Sequence, residues 1–139
     1  MEIEIRTGVE CMDFPRVAAL LATAYWSPGI KEAEVRKGAL HSALVVGAFH
    51  SGEQVGYARA ISDTVRFAYL ADVFVDERFR GQGIGKMMVG HILRHETLRE
   101  VYQWVLKTKD AHKVYEKLGF GALGGVDKWM EIWSPRPAR

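Results

Sequence analysis

The stretch from Phe67 to Lys86 constrains this chain more than any other, because an apolar run passes directly into a glycine-studded turn and then into an amphipathic helix. Phe67, Tyr69, Ala71, Val73 and Val75 alternate with Ala68, Leu70 and Phe74, so a strand over 67–75 is predicted with both faces buried and only Asp72 interrupting it. The helix predicted from about Gly83 to His95 carries Ile84, Met88 and Ile92 at four-residue spacing, with Met87 and Leu93 widening the stripe that packs on a sheet. Such a turn leaves the first N–H groups of the helix unpaired, at the positive end of its dipole. That is an anion site, and most naturally a phosphate site.

Glycine spacing separates this turn from its commoner relatives. A P-loop places four residues between its first Gly and a Gly-Lys pair followed by Ser or Thr, whereas Gly81 and Gly85-Lys86 enclose three and Met87 follows. The dinucleotide fingerprint fails as well, since Lys86 or Met88 stands where its third Gly is required. What remains is Arg80-x-x-Gly83-x-Gly85 between a strand and a helix. Bare glycines at 81, 83 and 85 let backbone approach a pyrophosphate, and Arg80 and Lys86 add positive charge.

Composition narrows the class. With 139 residues the chain is expected to form a single domain over 1–139, with a tail from about 135 where Pro135 and Pro137 fall. Nineteen basic residues against 17 acidic ones leave a net charge of +2, and no basic run interleaved with aromatics suggests a nucleic-acid partner. Cys11 stands alone, so no disulfide framework is expected. Charge from Glu2 onward and the shortness of every apolar run argue against a signal peptide or membrane span, which makes a cytoplasmic location the expectation.

The remaining elements follow from period and punctuation. Residues 2–7 alternate as a strand with one wet face. Asp13 before Phe14-Pro15 reads as an N-cap for a helix ending near Tyr25-Trp26, and 31–40 forms a second, polar helix after the Ser27-Pro28-Gly29 break. Residues 43–50 and 54–62 flank Ser51-Gly52-Glu53 as an antiparallel hairpin. Strands are predicted over 102–108 and 128–134, with a short helix over 110–118 closed by Gly119 between them. The implied architecture is α/β (α+β), a mixed sheet flanked by helices.

This order of elements, the 80–85 loop and the segment Asp110-Ala111-His112-Lys113-Val114-Tyr115-Glu116-Lys117-Leu118-Gly119-Phe120 together resemble the GNAT superfamily of N-acyltransferases, from Glu2 to about Trp133. The resemblance implies a mostly antiparallel central sheet and acetyl-CoA as cosubstrate, with no metal. It places the pyrophosphate on Arg80, Gly81, Gln82, Gly83, Ile84, Gly85 and Lys86, and the pantetheine arm on the backbone of Val73, Phe74 and Val75, where the family's strand splays from its neighbour. Thr108 stands where many members carry an Asn that contacts CoA; it can still donate a hydrogen bond. Homodimers are common in the family, so one is an expectation here too.

Acyl transfer to an amine needs three tasks done. The charge developing on the carbonyl oxygen can be met by a backbone N–H near Val73. Tyr115 suits a general acid, because a phenol near pKa ~10 can protonate an alkyl thiolate. For the amine's proton, Asp72 is the best-placed carboxylate, and base, substrate anchor and structural support all remain open for it; a water relay serves equally well. Tyr25, Trp26, Tyr57, Arg59 and Trp129 are candidates to line an acceptor pocket, each equally able to serve packing alone. His91 and His95 lie four apart, but Ile92 stands where a zinc protease needs Glu, so no metal site is expected. The function expected is transfer of an acetyl group from acetyl-CoA to a primary amine of a small molecule or peptide. A longer acyl donor, or a CoA-binding regulatory module without turnover, are the alternatives.

Overall fold

A computed structural model describes residues 2–139. Five strands form one sheet in chain order: β1 (Glu4–Thr7), β2 (Leu44–His50), β3 (Glu53–Ser62), β4 (Phe67–Val75) and β5 (Gln103–Val105). The first three pairings are antiparallel and β4 pairs parallel to β5, as a crossover through a helix requires. The β2–β3 hairpin closes on Ser51 and Gly52, both at positive φ, as a tight two-residue turn demands.

Four helices cover the sheet: α1 (Phe14–Leu21), α2 (Glu32–Leu40), α3 (Ile84–Arg94) and α4 (His112–Glu116). Asp13 caps α1, its carboxylate accepting from Arg16 N at 3.2 Å, and Pro15 sits in the first turn where its missing N–H costs nothing. The helix stops at Leu21, four residues short of the Tyr25 expected from the pattern, because Ser27 Oγ takes the Leu21 carbonyl at 2.7 Å and Gly29 N takes that of Ala22 at 3.0 Å. The chain therefore turns over the sheet and carries Trp26 with it.

Period-two burial splits the core into two layers. Val17, Leu21, Val35, Val45 and Tyr57 pack under α1 and α2, whereas Val46, Ala48, Val55, Ala58 and Leu70 pack under α3 with Ile84, Met88 and Ile92. Each of these α3 side chains contributes about 1.5–3 kcal/mol by leaving water. Gly56 lets that helix approach, since a Cβ there would lie 3.0 Å from Met88 Cε.

Two expectations fail. Residues 128–134 form no strand: Val126–Lys128 make a 3₁₀ turn and the chain beyond has no regular structure, with Met130 and Ile132 each 95 % accessible, before Arg139 pairs with Glu34 of α2 at 2.5 Å. Alternation supplies strand propensity, but a strand also needs a partner edge, and β5 is only three residues long. The strand expected over 102–108 is correspondingly cut to 103–105.

β4 also departs from simple alternation. Arg59 pairs with Ala71 and Tyr57 with Phe74, so Ala58 faces both Asp72 and Val73 across a β-bulge, with Asp72 at φ +55°. The extra residue reverses the inside–outside phase of the strand. Leu70 belongs to the layer under α3, while Phe74, four residues later, belongs to the layer under α1 and α2.

Candidate active site

The β4–β5 ladder runs only from Phe67 to Tyr69; beyond it the strands part and leave the β4 edge from Ala71 to Val75 facing a gap. Asp76 N donates to Val55 O at 2.7 Å, so alternation directs the peptide groups of Phe74 toward β3 and those of Val73 and Val75 into the gap. Of the three residues expected to present backbone to a pantetheine arm, Phe74 directs its peptide groups to β3, while those of Val73 and Val75 face away from it. The Val75 carbonyl accepts from Arg80 Nε at 3.0 Å, and the Arg80 guanidinium lies 5.1 Å from the centre of the Phe74 ring.

The glycine loop follows β4 and the short 3₁₀ turn Glu77–Phe79. Gly81 and Gly83 have φ of +80° and +79°, a region that L side chains rarely enter, and a Cβ on either would meet nothing within 4 Å. Gly85 differs, lying inside α3, where its Cβ would rest 3.9 Å from Val75 Cγ2 in ordinary contact. The first α3 hydrogen bond runs from Met87 N to Gly83 O at 3.0 Å, which leaves the N–H groups of Ile84, Gly85 and Lys86 without a helical acceptor. Open space beside two positive-φ glycines, three free donors and the exposed Arg80 and Lys86 suit a pyrophosphate.

α4 carries Tyr115, which lines a cleft together with Phe67 and Tyr69 of β4. Its ring packs edge-on against Phe120 at 5.9 Å, and this partly buried setting raises the phenol pKa above its ordinary value by desolvation. Thr108 Oγ1 accepts from Ala111 N at 3.0 Å ahead of α4, so the hydroxyl first serves the backbone and keeps only its hydrogen for a ligand. Tyr69, Leu106, Thr108, Tyr115, Phe120 and Trp129 lie along one cleft of about 1620 Å³.

On the other face of the sheet, the bulge turns the Asp72 carboxylate toward α1 and α2. Oδ2 accepts from Arg59 Nε at 2.7 Å and Oδ1 from Trp26 Nε1 at 2.9 Å. Arg59 is held in turn by Gly38 O at 3.3 Å and Ser42 Oγ at 3.2 Å. A cavity of about 330 Å³ opens over this pair, walled by Ile30, Glu34, Lys37 and His41. Glu34, Lys37 and His41 were missed from the sequence; their three- and four-residue spacing along one face of α2 is the signal that marks them.

The five candidate acceptor residues separate. Trp26 and Arg59 meet at Asp72, and the exposed Tyr25 lies edge-on to Trp26 at 5.1 Å with the Lys109 ammonium 5.4 Å above its ring. Tyr57 belongs to the core, 1 % exposed, its hydroxyl without a partner among the described residues and its pKa driven up by burial. Trp129 lies elsewhere, 6.5 Å from Phe67 at the start of β4. His91 Nε2 lies 2.9 Å from Thr7 Oγ1 and ties α3 to β1.

Known proteins share both sequence and fold. Residues 14–120 match the Acetyltransferase (GNAT) family. A GNAT-family protein of Xanthomonas campestris pv. campestris is 33 % identical, with a TM-score of 0.90 over 97 % of this chain and 95 % of that one. A histone acetyltransferase of Glycine max is 32 % identical over 110 residues, 70 % of this chain and 47 % of that protein. A Clostridium acetobutylicum protein whose structure contains acetyl-CoA shares the fold at 16 % identity, with a TM-score of 0.70 over 94 % of this chain and 96 % of that one. The chain spans between 20 % and 58 % of the length of the curated relatives it matches. The match over residues 14–120 establishes that the chain belongs to the GNAT acetyltransferase family.

Proposed function

We propose that the protein transfers an acetyl group from acetyl-CoA to a primary amine by direct attack, without an acyl-enzyme. The observation that carries this reading is the donor loop itself: positive-φ Gly81 and Gly83 with open space beside them and N–H groups at the start of α3 that have no helical acceptor, at the end of a strand whose pairing with β5 stops at Tyr69. Acetyl-CoA supplies an activated thioester, to whose carbonyl carbon a neutral amine adds while the C–S bond breaks. The N–H of Val73 stabilises the charge that develops on the carbonyl oxygen. Tyr115 gives its phenolic proton to the leaving thiolate, and the raised pKa keeps that proton in place at neutral pH.

Asp72 fits a support role better than a base role. Both of its oxygens are engaged, by Arg59 and Trp26, so its work is to hold these two side chains against the acceptor cavity. The ammonium proton then leaves through water. A small amine or an amino group of a peptide is the acceptor class, bound in the cavity over α2 beside Arg59. The exposed Met130 and Ile132 form an apolar strip through which two copies associate.

Free thiol released from acetyl-CoA, measured across a broad amine panel, tests the activity. Tyr115→Phe is expected to lower kcat by roughly 10²–10⁴ while the KM for acetyl-CoA stays within about twofold, and an unchanged kcat removes Tyr115 from the mechanism. Thermal stabilisation by CoA with no thiol released for any amine favours a binding module instead, and release only from longer acyl-CoA reassigns the donor.

A further inference from the structure

One buried carboxylate takes no part in the chemistry above. Asp76, 6 % exposed, ends β4 and opens the 3₁₀ turn Glu77–Phe79 that leads into the glycine loop. Its carboxylate accepts from the backbone N–H of Arg78 at 2.9 Å, from Arg78 Nη2 at 2.8 Å and from Arg16 Nη2 on α1. Arg16 is itself fixed, because its Nε donates to Gln54 O at 3.1 Å. The buried Gln54 side chain accepts from Asp13 N at 2.8 Å and donates to Gly56 O at 3.0 Å. The start of α1, the start of β3 and the end of β4 are thereby braced to one another directly behind the loop.

We infer that Asp76, held by Arg16, is a positioning residue for the donor: it sets where residues 80–83 stand and so where the N–H groups at the head of α3 meet the pyrophosphate. Besides Asp76, the β4 end of the loop is anchored by Phe79, which packs on the core beside His50 at 5.2 Å. Among the described residues nothing approaches within 4 Å of a Cβ built on Gly81 or Gly83, so no neighbour packs against those positions and the loop takes its location from its two ends. The α3 end is fixed by Ile84 and Met88 in the core, and the β4 end by Phe79 through packing and by Asp76 through its hydrogen bonds, with the Arg80–Val75 contact between them. Asp76 has a second effect. Together with Glu53, 3.1 Å from Arg78 Nη2, it holds the Arg78 guanidinium back from the loop, so that Arg80 and Lys86 are the cations beside the phosphates.

This inference rests on the phosphate reading of the glycine loop, and the experiment separates the two. CoA affinity is measured by titration calorimetry well below the melting temperature of every variant, with KM for acetyl-CoA, acceptor KM and kcat determined alongside. Asp76→Asn and Arg16→Gln are expected to weaken CoA binding and raise the acetyl-CoA KM about tenfold while acceptor KM and kcat stay within about twofold, and Arg16→Lys is expected to recover most of the loss. Lower melting temperatures with unchanged CoA affinity in Asp76→Asn and Arg16→Gln would reduce the network to a structural brace and overturn the inference. If Asp76→Asn does not fold, the two Arg16 variants decide the matter by the same criteria. Gly83→Val tests the loop itself: retained CoA affinity there defeats the phosphate reading, whereas loss there with retained affinity in the Asp76 and Arg16 variants defeats only the positioning role.

Discussion

Replacing Gly83 and Gly85 separately by alanine distinguishes backbone conformation from space in the donor loop. Both side chains would be a single methyl, and neither would clash: nothing lies within 4 Å of a Cβ at 83, and the nearest atom to one at 85 is Val75 Cγ2 at 3.9 Å. The difference is φ. At +79°, the alanine of Gly83→Ala must either bear about 1–2 kcal/mol of left-handed strain or swing to negative φ and rotate the loop's peptide groups off the phosphate. Either route weakens CoA binding, by roughly 5- to 30-fold if the strain is carried in the bound state. Gly85 already has helical backbone within α3, so Gly85→Ala is expected to leave CoA affinity within about twofold and to raise stability by about 0.5 kcal/mol through its better helix propensity. Calorimetric titration with CoA and urea denaturation of both variants provide the check. Equal losses of affinity at 83 and 85 would show that room beside the loop, not its conformation, governs binding, and full affinity in Gly83→Ala would refute the conformational reasoning outright.

Three further outcomes are expected. Tyr57→Phe removes a hydroxyl that has no partner among the described residues, so urea denaturation should find it neutral or up to about 1 kcal/mol more stable; a loss beyond about 1 kcal/mol would mean that the hydroxyl is bonded. Asp72→Asn suits the left-handed backbone at that bulge but loses the charge facing Arg59, which should cost about 1.5–3 kcal/mol and lower acceptor kcat/KM while leaving the acid limb of the pH profile in place. Disappearance of that limb would make Asp72 the base. Asp76 has its pKa held well below the usual carboxylate range, chiefly by hydrogen bonds from Arg78, with Arg16 adding to them. Its stabilisation is therefore complete above the unfolded carboxylate pKa of about 3.9 and is lost as pH falls below it. Denaturation midpoints measured from about pH 6 down to about pH 3 should fall more steeply for the wild type than for Asp76→Asn, and parallel curves would contradict this.

The bulge at Asp72 shows why only part of the site was legible beforehand. Alternation from Phe67 to Val75 correctly marks a strand, but it assigns Phe74 to the same face as Leu70, and the structure puts the two on opposite faces. Whether a strand carries an extra residue depends on its partner, here Ala58, and no local pattern in β4 records it. The acceptor residues divided for a related reason. Trp26 reaches Asp72 because Ser27 stops α1 at Leu21, while Tyr57, equally aromatic and polar, is covered by both helices.

By itself the sequence determined the order of elements as far as α4 and the glycine turn between β4 and α3, because these rest on short-range physics. Period-two and four-residue spacing mark which face is apolar, and Gly81 and Gly83 announce positive φ within a few residues of the helix they open. Tertiary structure alone decided the Arg59–Asp72–Trp26 cluster, the Asp76–Arg16 brace and the absence of a strand over 128–134. Each of these depends on what another element presents at a given place. An ion pair needs a partner brought from 13 or 60 residues away, and a strand needs a free edge long enough to receive it.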